Sequence, residues 1–158
     1  MKTVKQKVPG FPQLRTTWNG LAEMDPILLY DLLALRQSVF VVEQACIYLD
    51  PDGLDIAAQH LLVTQNGTVI GCLRLLPPCG QDKLLRIGRV TVKSGWRGKG
   101  IARLMMLEAI AKARLDYPSA NICLNAQTYL QGFYQSLGFE VDGNEFLEDG
   151  IPHIRMQM

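Results

Sequence analysis

The segment that most limits the fold is Val90-Thr91-Val92-Lys93-Ser94-Gly95-Trp96-Arg97-Gly98-Lys99-Gly100-Ile101-Ala102. A β-branched apolar run gives way to a glycine-rich turn, and the turn opens a long helical pattern. The first N–H groups of such a helix have no internal partner. They also sit at the positive end of the helix dipole. Gly98 and Gly100 let an anion approach the backbone without meeting a Cβ. Arg97, Lys99 and Arg103 add formal charge. The arrangement suits a phosphate or pyrophosphate.

Two other glycine loops do not fit. A Walker A loop needs Lys and then Ser or Thr after its last glycine. Gly95 and Gly100 have that spacing, but Ile101 and Ala102 follow. A dinucleotide fingerprint needs a third glycine where Arg103 stands, and its strand should belong to a βαβ unit rather than a hairpin.

The bulk properties say that any anion site is local. Sixteen Lys and Arg against fifteen Asp and Glu leave a net charge of +1 over 158 residues, which does not favour wrapping nucleic acid. The length fits one domain, expected over 11–158, with residues 1–10 as a loose tail. The N-terminus is basic but has no apolar stretch after it, so it does not read as a secretion signal. No run of about 18 apolar residues exists, so no membrane-spanning helix is expected. Cys46, Cys72, Cys79 and Cys123 match neither a zinc site nor a disulfide scaffold. No metal is expected, and a reducing cytoplasm follows, with Cys72 and Cys123 as core thiols.

Along the chain, Gln13 to Trp18 alternates like a strand. Asp25-Pro26 predicts a helix start, with Leu28, Leu29, Leu32, Leu35 and Val39 as its buried face. Asn66-Gly67 predicts a tight turn joining strands at Leu61–Gln65 and Thr68–Leu76. Leu85 to Val92 reads as a further strand. The helix from Arg97 to about Asp116 places Ile101, Leu104, Leu107, Ala111 and Leu115 on one face, with Glu108 and Lys112 spaced as an ion pair. Asn121–Ala126 is a strand, Tyr129–Leu137 a short helix, and Phe139–Val141 and His153–Met158 are closing strands. The fold class is α+β, a sheet of about seven strands with helices packed against it.

At this point the chain resembles a known family. Arg97-Gly98-Lys99-Gly100-Ile101-Ala102 matches the Arg/Gln-x-x-Gly-x-Gly/Ala signature of GNAT-superfamily N-acetyltransferases. About 30 residues on, Phe133-Tyr134-Gln135-Ser136-Leu137-Gly138-Phe139 resembles the second signature. The ElaA subgroup is closer still. Its resemblance lies in Val39–Gln44, Ile87–Val90, Ala126–Gln131 and Glu148–Ile154 and covers roughly 35–156. The resemblance implies a mixed, mostly antiparallel sheet that splays open to hold acyl-CoA, with pantetheine paired to the backbone of Val90 and Val92 beside Thr91. It implies transfer of an acetyl group from acetyl-CoA to a small-molecule, peptide or protein amine in a ternary complex, with homodimer formation left open. A non-catalytic acyl-CoA sensor is the alternative.

The implied chemistry needs a base for the amine, a donor for the thioester oxyanion and a proton for the leaving thiolate. By resemblance, Tyr134 takes the general-acid position; from the residues alone it also reads as a core aromatic. His153 and Glu43 are both candidates for the base. The Val92 N–H is a candidate oxyanion donor, and Asn125 a candidate pantetheine ligand. His60 reads as a strand start. Arg74 and Arg89 interrupt apolar strands, for a buried partner or an acceptor carboxylate. The loop Asp50-Pro51-Asp52-Gly53-Leu54-Asp55 fails the EF-hand pattern and reads as a solvated connector. Attraction of a cationic amine by Glu43, Asp52 and Asp55 is a weaker reading.

Overall fold

A computed structural model describes residues 6–8, 10–79, 81 and 83–158. Strand β1 (Gln6–Val8) pairs with β2 (Phe11–Gly20). Part of the expected tail is therefore structured, because it covers the edge of the sheet; residues 1–5 and 9 lie outside the described set. Helix α1 (Pro26–Arg36) starts as its sequence predicts. The Asp25 carboxylate accepts from the amides of Ile27 at 2.9 Å and Leu28 at 3.3 Å. The helix then widens into π turns over Gln37–Glu43, where Gln44 reaches back to the Val39 carbonyl. The apolar run Val39–Val42 thus stays helical.

Strands β3 (Gln59–Gln65) and β4 (Thr68–Leu76) form the expected hairpin. Asn66 and Gly67 take φ of 49° and 88°, the positive values that a two-residue turn of this kind requires. Strand β5 (Leu84–Val92) leads into the glycine turn and α2 (Ile101–Asp116). Strand β6 (Asn121–Gln127), helix α3 (Gln131–Gln135) and strands β7 (Glu140–Val141), β8 (Phe146–Glu148) and β9 (Ile151–Gln157) complete the chain. Among the described residues the sheet order is β1-β2-β3-β4-β5-β6-β9-β7, with β8 paired to β9. Among these described strands, only β5 and β6 run parallel. The strands beyond the expected seven are β1 and β8. Asp149 and Gly150, at φ 50° and 76°, turn β8 into β9 by the same chemistry as Asn66-Gly67.

The strand period of two sorts side chains between two cores. Leu61 and Val63 face the core that holds α2, whereas Leu62 faces the one that holds α1. On α1, Leu32, Leu35 and Val39 are buried, and Leu28 and Leu29 pack partly against them.

The expected face of α2 needs correction. Its buried stripe is Ile101, Met105, Met106, Ala109 and Ala113, while Leu107 and Leu115 are 51% and 81% exposed. The helix is apolar around much of its circumference, so composition does not fix its rotation. Packing against β4 does: Gly71 has no side chain there, and a Cβ would sit 3.2 Å from the Met105 sulfur. The expected Glu108–Lys112 pair is also replaced. Lys112 bonds Asp116 at 2.7 Å, and Glu108 accepts from the Trp18 indole at 3.1 Å.

This rotation predicts an asymmetry in urea unfolding. Met105→Ala should lose about 2–5 kcal/mol, as for other buried large-to-small changes. Leu115→Ala should stay within about 0.5 kcal/mol of the parent.

Candidate active site

Strands β5 and β6 pair only at Leu84–Arg86 with Asn121–Cys123. Beyond Arg86 they part, and the β6-facing edge of β5 has no strand partner among the described residues. A bulge bends β5 at this point. Cys72 pairs with Thr91 and Arg74 with Gly88, so Leu73 alone opposes Arg89 and Val90. Arg89 takes φ 53°, a left-handed value uncommon for a side chain without local compensation. The parting strands enclose a cleft of about 960 Å³. Val90, Thr91 and Val92 line one side, and Leu124 and Asn125 the other. The Thr91 hydroxyl is buried and has no hydrogen-bond partner among the described residues.

One end of the cleft reaches Arg97 and Ala102, at the start of α2. Gly100 precedes the helix at φ 80°, and no side chain caps it. Leu104 is the first helix residue whose amide bonds back to Gly100. The earlier amides of Ile101, Ala102 and Arg103 have no backbone acceptor among the described residues. Gly98 also has positive φ, 72°, and open space surrounds both glycines.

The expected phosphate cations are more constrained than their sequence suggests. Arg97 donates to the Val92 carbonyl at 2.9 Å and to both Glu43 oxygens at 2.7 and 3.0 Å. Arg103 bonds the Ser136 hydroxyl at 2.9 Å. The Lys99 ammonium lies 4.8 Å from the centre of the Trp96 ring.

Tyr134 lines the cleft and is 6% exposed. Phe133 and Phe139 meet its ring edge-on, at centroid distances of 5.0 and 6.1 Å. It is thus both a core aromatic and a cleft residue. Burial pushes its phenol up to about 12, so the hydroxyl keeps its proton at neutral pH.

His153, on β9, is buried and lines the same cleft. Its Nδ1 lies 2.8 Å from the Ile151 carbonyl, an acceptor, so Nδ1 carries the hydrogen. In the neutral ring Nε2 is then left as an acceptor. It lies 3.8 Å from the Glu148 carboxylate, and the ring stacks on Phe146 at 6.0 Å. Glu43 sits on the rim, and the hydrogen bond from Arg97 holds its carboxyl below the usual range.

The loop at 50–55 corrects an expectation. It is no solvated connector: Asp50 and Asp55 are buried and belong to a network with three arginines. Arg36 bonds Asp50 at 2.8 Å and Asp55 at 2.7 Å. Arg74 bonds Asp52 at 2.6 Å and Asp55 at 3.1 Å. Arg89 bonds Asp50 at 2.7 Å and Asp52 at 3.3 Å. Asp52 and Asp55 are therefore committed to guanidinium groups and are not free to attract an amine. Of the two readings for Arg74 and Arg89, the structure shows the buried partner, Asp55 for Arg74 and Asp50 for Arg89.

Burial opposes the Arg36 charge, but the bonds to Asp55 and the field of Asp50 raise its pKa. The bond from Arg74 holds Asp52 well below the carboxylate range. Burial works against the Asp55 charge, yet Arg36 and Arg74 hold it below its ordinary value. His60 is more than a strand start: it is buried against the Asp55 carbonyl at 3.1 Å, and burial lowers its pKa.

The burial of Arg36 was legible in principle, because it falls within the buried stripe of α1, but its partners were not: Asp31 and Glu43 lie nearer in sequence than Asp50 and Asp55. The β8–β9 hairpin was signalled by Asp149-Gly150.

Comparison with known proteins agrees with this geometry. A family model described as an acetyltransferase (GNAT) domain matches residues 48–158. A UPF0039 protein of Mycobacterium tuberculosis is 44% identical over 147 residues, 90% of each chain. Protein ElaA of Escherichia coli is 38% identical over 143 residues, covering 88% of this chain and 94% of that one. The crystal structure of an acyl-CoA N-acyltransferase from Pseudomonas aeruginosa superposes with a TM-score of 0.86 at 38% identity, covering 91% of this chain and 98% of that one.

The ion network makes stability depend on pH in one direction. Carboxylates held below their unfolded value near 3.9 stabilise fully above it, and that stability is lost as pH falls through the lower folded values. His60, held below about 6.5, adds a loss that begins higher on the same acid side. The urea midpoint should therefore fall steadily on acidification from neutral pH. At neutral pH Asp55→Asn should lose about 3–5 kcal/mol by leaving buried guanidinium charge uncompensated. Glu43→Gln, which breaks an exposed pair, should lose no more than about 1 kcal/mol.

Proposed function

The chain belongs to the GNAT acetyltransferase family, and from that premise we propose that it moves an acetyl group from acetyl-CoA to a primary amine within a ternary complex. The observation that carries this reading is the parting of β5 from β6 beside an uncapped helix start. Acyl-CoA is an extended molecule with a diphosphate at one end and a thioester at the other. The free amides at Ile101, Ala102 and Arg103, with the positive-φ turn at Gly98 and Gly100, suit the diphosphate. Lys99 lends charge there, and Arg97 shapes the rim through its bond to β5. The unpaired edge at Val90, Thr91 and Val92 suits the pantetheine amides, with Asn125 facing it across the gap. The orphaned Thr91 hydroxyl supports a polar ligand beside it, because a buried hydroxyl without a partner is unfavourable.

In the proposed reaction, His153 Nε2 accepts the proton that the ammonium must lose before attack. The Val92 N–H, beyond the bulge, is the candidate that steadies the oxyanion. As the C–N bond forms and the C–S bond breaks, Tyr134 donates a hydrogen bond, and then a proton, to the departing thiolate, and the proton shed by the attacking nitrogen restores the phenol. The phenol keeps its proton at neutral pH, so a proton is at hand when the thiolate departs. Glu43 is the weaker choice of base, because Arg97 occupies both of its oxygens and lowers its proton affinity.

Saturating acetyl-CoA should stabilise the chain, by about 2.7 kcal/mol at a hundred times its dissociation constant. Tyr134→Phe should keep that stabilisation and lose about 10²-fold or more in kcat, measured by thiol release. Unchanged turnover across the pH range would rule out Tyr134 as the general acid. Gly100→Leu should abolish most of the acetyl-CoA stabilisation, because a side chain at φ 80° is strained and would crowd the exposed amides.

A further inference from the structure

We infer that the acceptor half of the cleft takes a small amine on an apolar body, with no carboxylate beside the amine; this rests on the acyl-transfer reading above. One wall of that half comes from the end of the π turns and the loop after them. Phe40, Tyr48, Leu49 and Leu54 line the cleft there. Leu49 and Leu54 remain 79% and 50% exposed. They contribute little to either core, and they lose contact with water only when something apolar covers them.

The charges behind this wall narrow the ligand further. Arg36, Arg74 and Arg89 are balanced by Asp50, Asp52 and Asp55, with bonds of 2.6–3.3 Å. The wall therefore offers no spare guanidinium to an acceptor carboxylate. Arg86 lines the cleft without an ion pair among the described residues. However, it lies at the closed end, where β5 still pairs with Cys123.

The opposite wall carries the negative charge. The β8–β9 hairpin supplies Glu148 and Asp149, and Glu148 lies 3.8 Å from His153 Nε2. The two walls touch where the Cys46 thiol lies 3.6 Å from the Asp149 carbonyl. A single ammonium fits beside Glu148, next to the group that would take its proton, while its substituent lies on Leu49 and Leu54. A cleft of about 960 Å³ that must also admit an acyl-pantetheine arm leaves room for a small molecule.

Matched acceptors test this in the full chain with acetyl-CoA, by thiol release. Phenethylamine and phenylalanine share a side chain and differ by the carboxylate. Spermidine supplies a polycation, and a short peptide beginning with phenylalanine supplies a chain end. The kcat/KM for phenethylamine should exceed that for each of the others by about tenfold or more. Leu54→Asp and Leu49→Asp should each lower it by about tenfold, through KM, because a charge replaces the apolar contact. Both variants should keep the parent's melting shift with acetyl-CoA, which shows them folded and competent at the other end of the cleft.

Equal or better use of phenylalanine, spermidine or the peptide overturns the inference. So does a normal KM in both leucine variants, or binding of acetyl-CoA with no turnover of phenethylamine. In each of those cases acetyl-CoA still binds the parent chain, and only the acceptor assignment falls. A parent chain that acetyl-CoA does not stabilise removes the acyl-transfer reading and this one together.

Discussion

Arg89 holds a left-handed backbone angle in the middle of a strand, and its side chain is tied to Asp50 and Asp52. Such a conformation is disfavoured by about 1–3 kcal/mol when nothing compensates it. Here the compensation is a charge network that spans α1, β4, β5 and the loop at 50–55. The same contact that secures the bulge also secures the cleft wall. Without the bulge, β5 would continue in register against β4, and the edge it turns away from β6 would point elsewhere. The opening between β5 and β6, the free backbone edge and the position of the cleft wall from the loop at 50–55 all meet at this one joint.

The two ends of the cleft use different physics. At the start of α2 the groups suited to an anion are mainly backbone amides and a dipole, fixed by the positive φ of Gly98 and Gly100. The nearby cations are tied to the protein: Arg97 to Val92 and Glu43, and Arg103 to Ser136. Such a site is shaped before the ligand arrives, which lowers the ordering entropy of binding. At the other end, buried charges cancel one another and leave an apolar surface with a carboxylate and a histidine opposite. Neutralising six ionic groups in pairs is a structural use of charge; removing any one member would expose the rest to an unfavourable medium.

Tyr134 shows why a buried side chain need not be only structural. Phe133 and Phe139 fix the plane of its ring. The same burial that packs the ring raises its pKa and keeps the proton in place. His153 is oriented in a comparable way, by the Ile151 carbonyl on one nitrogen and Phe146 on its face. Both are held by neighbours close in the chain, so their geometry arises with the local hairpin and helix.

Local chemistry was legible in the sequence. Asp25-Pro26 determined a helix start and Asn66-Gly67 a hairpin, because cap and turn preferences act over a few residues. The run from Val90 to Ala102 determined a strand, a tight turn and an exposed helix start for the same reason. Asp149-Gly150 carried an equal signal for β8 and β9. The rotation of α2 was not legible, because an apolar residue on any side satisfies the helix period and only contact with Gly71 and β4 selects one. The partners of Arg36, Arg74 and Arg89 were not legible either. Ion pairing depends on distance in space, and the aspartates that meet these arginines are 14 to 39 residues away along the chain. Sequence alone therefore determined which segments turn a strand and open a helix, while tertiary structure decided which charges cancel and which face the cleft, since those depend on where the packed helices and strands come to rest.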